Sequence, residues 1–202
     1  APQMNLLRTI LSPGESAPPK TCDWERYDVV IIGDVSPFSF GGENLQKLRS
    51  AVQEDGKGLV LLAGRQSMGR SGFRGTFLED ALPVQLPERW DYRTGTTALV
   101  PQAAAGGHPI LSLGETDADT LKRWKEMPPL SGVLRGAQPK RAAEVLARDA
   151  DGSPLLCVQR VGAGRSVCVL TDTTFRWHFT EADTQQEHAR FWRQVALWGG
   201  GK

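Results

Sequence analysis

The sequence predicts a three-layer α/β domain of the flavodoxin-like kind, in which helices cover both faces of a mostly parallel central sheet. Two apolar runs, Val29–Ile32 and residues 59–63, lack the polar alternation of a half-exposed strand. Such runs are typical of strands that are buried on both faces. Between them, Leu45, Leu48 and Val52 recur at the spacing of one helix face. A strand, a helix and a strand in this order predict a right-handed βαβ unit.

The remainder of the chain predicts further elements around this unit. We expect short helices at residues 4–11 and 76–82, a strand at 96–100, and longer helices at 117–126 and 182–198. Turn-forming residues join three further strands, which predicts an antiparallel β-meander near the C-terminus, at residues 145–148, 155–161 and 166–171. We divide the chain into an N-terminal helix and loop that we expect to be truncated, a main domain and a short tail, at residues 1–26, 27–198 and 199–202.

Composition excludes several classes of function. The 24 basic and 23 acidic residues leave a net charge of +1, so we expect no nucleic-acid partner. No apolar run approaches the ~18 residues of a membrane-spanning helix, so we expect no direct membrane insertion by this fragment. Three cysteines without a CxxC spacing indicate neither a disulfide framework nor a metal site. We therefore expect no metal and no cofactor, and the sequence leaves the cellular compartment open.

Carboxylates follow two of the predicted strands. Asp34 comes directly after the first strand, and Asp172 comes after the last strand of the meander. Ligand contacts in parallel α/β sheets gather at the carboxyl ends of the strands, so these two side chains could face one crevice. Asp34 has an equally good alternative role, in which it caps the next turn by accepting amide hydrogen bonds near Ser36.

The glycine-rich loop at residues 64–75 carries three arginines, Arg65, Arg70 and Arg74. Its first eight residues match a phosphate-binding loop, except that Arg70 replaces the lysine. The glycines that follow are unsuited to opening the helix that such a loop requires, so we do not expect nucleotide hydrolysis. The arginines could instead hold a carboxylate or a phosphate, or they could be solvated without a partner.

Ser67 in the same loop is the best remaining candidate for a nucleophile. A serine nucleophile needs a base within hydrogen-bond reach and a group that orients the base, and His178 and Asp172 could fill these roles. In the interpretation that we favour, Ser67 stabilises a tight turn and His178 packs beside Trp177. Trp177 itself could stack on a sugar or line a groove for a partner, although aromatic side chains after a strand more often close the end of a core.

Four segments carry a family resemblance: YDVVIIGDV at 27–35, DGKGLVLLAGRQSMG at 55–69 with GTFLEDALPV at 75–84, HPIL at 108–111 with MPPLSG at 127–132, and VGAGRSVCVLTDTTFRWHF at 161–179. Their order and spacing over residues 27–198 resemble the glutamine amidotransferase-like family. The resemblance implies a class I amidotransferase-like fold. It also implies a place within a larger bacterial envelope protein, where such domains occur beside von Willebrand A-like domains.

The chain departs from the active members of that fold at the nucleophile. Active members place a cysteine at a tight strand-to-helix turn, and alignment of the strands puts Ala63 at that position. Cys22 lies in an early loop, while Cys157 and Cys168 lie in apolar strands, where a thiol is usually inert. We therefore expect a non-catalytic domain that binds other domains of the full-length protein or a protein partner. The alternatives are a hydrolase that uses Ser67 and a sensor that binds a small anion or a sugar.

Overall fold

A mixed sheet of six strands lies at the centre of the protein, seen in a computed structural model that describes residues 23–69, 72–180 and 182–201. Numbered along the chain, the strands are β1 (Val29–Ile32), β2 (Gly58–Leu62), β3 (Val84–Gln85), β4 (Tyr92–Thr97), β5 (Val100–Pro101), β6 (Leu130–Leu134), β7 (Gln138–Pro139), β8 (Glu144–Arg148), β9 (Pro154–Val161) and β10 (Gly164–Val169). The helices are α1 (Gly42–Gln53), α2 (Asp117–Glu126) and α3 (Ala182–Gly199). Short 3₁₀ segments lie at Trp24–Arg26, Pro37–Ser39, Glu79–Ala81, Ala103–Ala105, Pro109–Leu111 and Thr173–His178.

The strand pairing corrects the prediction of a mostly parallel sheet. The order in the sheet is β1-β2-β10-β9-β8-β5, while β3 pairs with β7 and β4 pairs with β6 in two small sheets. In the central sheet, β1, β2 and β10 are mutually parallel, whereas the pairs β10–β9, β9–β8 and β8–β5 are antiparallel. The predicted meander is present, but its hairpins place β9 and β8 directly beside β10. The three strands of the meander therefore form half of the central sheet and are not an addition to it.

Apolar side chains pack against both faces of this sheet. Along β2, Leu59 and Leu61 belong to the core cluster that contains the buried side of α1. Val60 belongs to a second cluster, which contains Phe191 and Val195 of α3. Because successive residues of a strand point to opposite faces, the two helices cover opposite faces of β2. The mixed α/β class predicted from the two apolar runs is thus confirmed.

Other predicted elements have different outcomes. Helix α2 begins and ends at the predicted residues, but the strand expected at 96–100 is divided between β4 and β5. The helix expected at 76–82 is reduced to the 3₁₀ segment Glu79–Ala81, because so short a helix is marginal on its own and the Glu79 carboxylate instead accepts the amides of Gly75 (2.6 Å) and Leu86 (3.0 Å). The helix expected at 4–11 lies outside the described residues. Within the described ranges, no helix is long and apolar enough to cross a membrane.

A buried ion pair fixes the turn between β8 and β9. The Asp149 carboxylate is fully buried, and one of its oxygens lies 2.8 Å from the Arg135 guanidinium. The other oxygen accepts hydrogen bonds from the amides of Asp151 (3.0 Å) and Ser153 (2.8 Å). Since Arg135 directly follows β6, this pair ties the small β4–β6 sheet to the meander.

Replacing Arg135 by alanine tests the importance of this ion pair. We expect Arg135→Ala to lower the free energy of unfolding by about 3–5 kcal/mol, because the Asp149 carboxylate would stay buried without its opposite charge. Urea unfolding followed by circular dichroism measures the loss. The matched control is Arg93→Ala, which removes an exposed contact to Asp151 (3.3 Å) and should cost less than about 1 kcal/mol. Equal losses in the two variants would contradict the role given to the buried pair.

Candidate functional site

The carboxyl ends of three parallel strands meet at one edge of the central sheet. Asp34 follows β1, the loop that begins at Ala63 follows β2, and Asp172 follows β10. Neighbouring strands lie about 5 Å apart, so the backbones at the ends of β1 and β10 are separated by roughly 10 Å. We call this region the carboxyl edge. It gathers most of the residues that the sequence singled out.

Asp34 is held by the loop that follows β2. Its Oδ1 accepts hydrogen bonds from the backbone amides of Gln66 (2.5 Å) and Ser67 (3.0 Å), and the Gln66 side chain donates to the Asp34 carbonyl (3.2 Å). The capping role proposed for Asp34 is therefore correct in kind, but its expected partners near Ser36 were wrong. The Ser36 hydroxyl itself accepts the amide of Phe38 (3.4 Å), so that turn is capped locally.

Ser67 is a buried residue of the loop. Its hydroxyl donates to the carbonyl of Leu62 (2.8 Å) and lies 3.4 Å from the carbonyl of Gly64. These partners in the described part of the chain are backbone carbonyls, and neither can act as a base toward the hydroxyl. The geometry matches the turn-stabilising interpretation of Ser67.

The structure does not show the three loop arginines together in one cluster. Arg65 is exposed and directly precedes Gln66 and Ser67, whose amides donate to Asp34. Arg74 forms a surface ion pair with Glu88 at 3.1 Å. Arg70 lies outside the described residues. Of the three loop arginines, Arg65 is thus the one described at the start of the loop that follows β2.

Asp172 has a partner that sequence reasoning missed. The Tyr92 hydroxyl, on β4, donates to Asp172 Oδ1. Burial, reinforced by the hydrogen bond to the Asp172 carboxylate, raises the pKa of Tyr92 far above its ordinary value. The Tyr92 ring stacks on Trp90 at 5.3 Å and lies against Gly132 of β6, where any Cβ would overlap the ring. A glycine within a strand often marks such a close approach, but β6 was not among the strands predicted from the sequence, so this signal was missed.

Trp177 lies in the core, so of the roles considered for it the core-closing one is correct, and stacking on a sugar or lining a groove is wrong. Its side chain is fully buried, and its indole N–H donates to the Pro128 carbonyl (2.7 Å). The ring makes edge-to-face contacts with Trp124 (6.0 Å) and Phe191 (5.7 Å). Trp177 therefore closes the end of the core between α2 and α3.

His178, the next residue, is exposed and belongs to a different environment from Ser67. Its ring packs on Phe179 (5.0 Å) and faces His188 (5.8 Å), and its Nε2 lies 3.3 Å from the Gln185 amide nitrogen. Ser67, His178 and Asp172 each have other partners among the described residues. A Ser–His–Asp triad is therefore not assembled.

Ala63 is the first residue after the end of β2. It is fully buried, and its amide donates to the Val169 carbonyl (2.8 Å). In the described residues between Ala63 and β3, the chain forms turns and one 3₁₀ segment but no α-helix. The strand-to-helix turn that would present a nucleophile is thus missing from this part of the chain.

The two cysteines of the sheet are also withdrawn from solvent. Cys157 of β9 and Cys168 of β10 stand opposite each other, both buried and both free thiols. Burial raises the pKa of Cys157 to about 12 and raises that of Cys168 well above its usual range. Since the thiolate is the reactive form, neither is placed to act as a nucleophile.

Exposed phenylalanines lie close in sequence to the carboxyl edge. Phe38 follows β1 and is 81% exposed, while Phe175 and Phe179 follow β10 and are 53% and 78% exposed. Single exposed apolar side chains are common on protein surfaces, whereas a contiguous apolar patch marks a contact surface. Among the residues that the structure describes, no group of His, Cys, Asp or Glu is arranged to hold a metal ion.

Comparisons with known proteins agree on the fold and the family. A family model with the description "Putative glutamine amidotransferase" matches residues 12–199. Two solved structures of cytoplasmic proteins from Salmonella typhimurium are similar. STM3548 is 20% identical, with 90% of this chain and 76% of that chain covered and a TM-score of 0.72. STM1381, from strain LT2, is 24% identical, with coverages of 86% and 72% and a TM-score of 0.68.

The same fold also forms part of a larger enzyme. A cold-adapted β-galactosidase from Rahnella sp. R3 is 19% identical, with a TM-score of 0.55, and the match covers 88% of this chain but 23% of that chain. Among curated proteins, none matches this chain in sequence. At these identities the solved structures establish a shared fold, while the family model covers most of the chain.

Replacing Tyr92 by phenylalanine tests the link between β4 and the carboxyl edge. We expect Tyr92→Phe to lower the free energy of unfolding by about 1 kcal/mol, because the change removes a hydrogen bond to a carboxylate that is exposed and can be resolvated. The ring contact with Gly132 is retained. Urea unfolding of Tyr92→Phe, Asp172→Asn and the double variant gives the coupling between the two side chains. Strictly additive losses would show that the hydrogen bond contributes nothing to stability.

Proposed function

Since this chain belongs to the putative glutamine amidotransferase family, we propose that it is a member without glutaminase activity that acts as a binding or interaction module in a larger protein. The observation that carries this proposal is the end of β2. There Ala63 is buried, and the described residues between it and β3 form no α-helix. A glutaminase of this fold class would need an activated thiolate at such a turn.

The other potential nucleophiles in the described residues support the same proposal. Ser67 is buried with its hydroxyl bonded to the Leu62 carbonyl, and the thiols of Cys157 and Cys168 are buried in the sheet. Nucleophilic catalysis requires an accessible atom with a base in reach. This also weakens the alternative of a hydrolase that uses Ser67.

The interaction role is supported by the surface near the carboxyl edge. Phe38, Phe175 and Phe179 are exposed and lie soon after β1 and β10 in the chain, and aromatic side chains are enriched at protein interfaces. The occurrence of this fold as about a quarter of a β-galactosidase chain is consistent with a module that sits beside other domains. Association with the bacterial cell envelope is the further part of the proposal, and it derives from the family resemblance.

Intact-mass labelling tests the catalytic half of the proposal. We expect the folded protein to keep its mass after treatment with a diazoketone analogue of glutamine and, separately, with a fluorophosphonate, because none of the candidate nucleophiles among the described residues, Ser67, Cys157 and Cys168, is both activated and accessible. Labelling of the urea-unfolded chain with iodoacetamide is the positive control for the thiols. A stoichiometric adduct on the folded protein that disappears in Ser67→Ala would establish the hydrolase instead.

Site-specific photo-cross-linking tests the interaction half. A benzoylphenylalanine in place of Phe38 or Phe179 in the full-length protein should yield a discrete cross-linked product, because these side chains are proposed to lie in an interface. The matched control is the same cross-linker at Leu121, an apolar residue of α2 that is 51% exposed. Equal yields at all three positions would contradict an interface at the carboxyl edge.

A further inference from the structure

We propose that the backbone amides of Gln66 and Ser67 form an anion-binding site that the protein fills with its own Asp34 carboxylate, and that a small carboxylate such as formate binds there when this side chain is removed. The proposal goes beyond the absence of glutaminase activity, because it rests on the contacts of Asp34 and of the loop that binds it and not on any nucleophile. It would stand or fall independently of the labelling result.

The two amides converge on one oxygen. Asp34 Oδ1 lies 2.5 Å from the Gln66 nitrogen and 3.0 Å from the Ser67 nitrogen. Successive backbone N–H groups that point into a common concavity are an arrangement that binds anions in many proteins. Here the anion is the Asp34 carboxylate, which follows a different strand, β1, and lies 32 residues before Gln66 in the chain.

The loop holds these amides in place by contacts that do not involve Asp34. The Ser67 hydroxyl donates to Leu62, the Met68 amide donates to the Gly64 carbonyl (2.9 Å), and the Phe73 amide donates to the Ser67 carbonyl (2.8 Å). Because these bonds fix the backbone on both sides of Gln66 and Ser67, the donors should remain oriented when Asp34 is replaced. Such preorganisation is what makes a site competent to bind a small ion.

Glycines allow the carboxylate to approach this closely. A Cβ at Gly64 would overlap the Asp34 carboxyl group, and a Cβ at Gly72 would overlap the Ser67 carbonyl. The first overlap means that the carboxyl group lies directly on the backbone at the start of the loop. Removing the Asp34 side chain would therefore leave a space beside two N–H donors, and the exposed Arg65 lies next to it in sequence.

The same contacts explain why the natural protein is not expected to bind a free carboxylate here. A tethered group competes at an effective concentration that can reach the millimolar range or higher. A free anion must displace it to reach the amides. A pair of backbone N–H groups at the end of a central strand is also the arrangement that stabilises an oxyanion in acyl transfer. In this chain both donors are already engaged.

Thermal unfolding of Asp34→Ala with and without formate tests the proposal. We expect formate to raise the unfolding midpoint of the variant saturably, by about 2–4 °C relative to sodium chloride at equal ionic strength. Wild type and the matched control Asp55→Ala, which removes an exposed carboxylate elsewhere, should respond to formate no more than to chloride. Amide NMR signals of Gln66 and Ser67 should shift with formate in Asp34→Ala and stay unchanged in wild type.

A second variant keeps the test decisive if Asp34→Ala does not fold. Asp34→Asn retains a neutral acceptor oxygen, which is weaker than a carboxylate toward an N–H donor, so the loop should persist and formate should compete. Formate-dependent shifts confined to the amides of Gln66 and Ser67 would support the site. A folded Asp34→Ala or Asp34→Asn variant whose Gln66 and Ser67 signals ignore formate would overturn it, and Asp34 would then be a structural tether only.

Discussion

Burial of β2 on both faces and both edges is the constraint on which the rest of the structure depends. Leu59, Val60 and Leu61 are shielded completely from solvent, and the strand pairs in parallel with β1 on one side and β10 on the other. A strand in this position cannot carry polar side chains at low cost. Accordingly β1 and β2 carry no polar side chains, and the polar residues that follow β1, β2 and β10 meet at one edge of the sheet.

Local pattern was sufficient to predict the β1–α1–β2 unit but not the sheet around it. The unbroken apolar runs and the helical spacing of Leu45, Leu48 and Val52 are encoded within short windows, and α1 buries all three of these side chains. The order of the strands depends on pairings between distant segments, such as β10 with β2, which no window contains. The two-residue strands β3 and β7 are too short to show any period.

In the candidate site, likewise, the sequence was sufficient to predict where the polar residues lie but not which groups they bind. Asp34, Ser67 and Asp172 could be found from sequence because each comes at or soon after the end of an apolar run. Their partners could not, since the Gln66 and Ser67 amides, the Leu62 carbonyl and Tyr92 are brought together by the fold. Trp177 follows a strand as well, yet it is buried because the groove between α2 and α3 accepts its ring and Pro128 accepts its N–H.

The proposed absence of glutaminase activity involves more than the residue at position 63. A cysteine there would be buried beside Val169 of β10, and the described residues between it and β3 form no α-helix that could lower its pKa. The amides of Gln66 and Ser67 in the loop that follows are occupied by Asp34, and the histidine that sequence reasoning considered, His178, packs with Phe179 and His188. The polar groups of the carboxyl edge that the structure describes are thus bonded to one another, and the proposed interaction role falls to the exposed phenylalanines beside it.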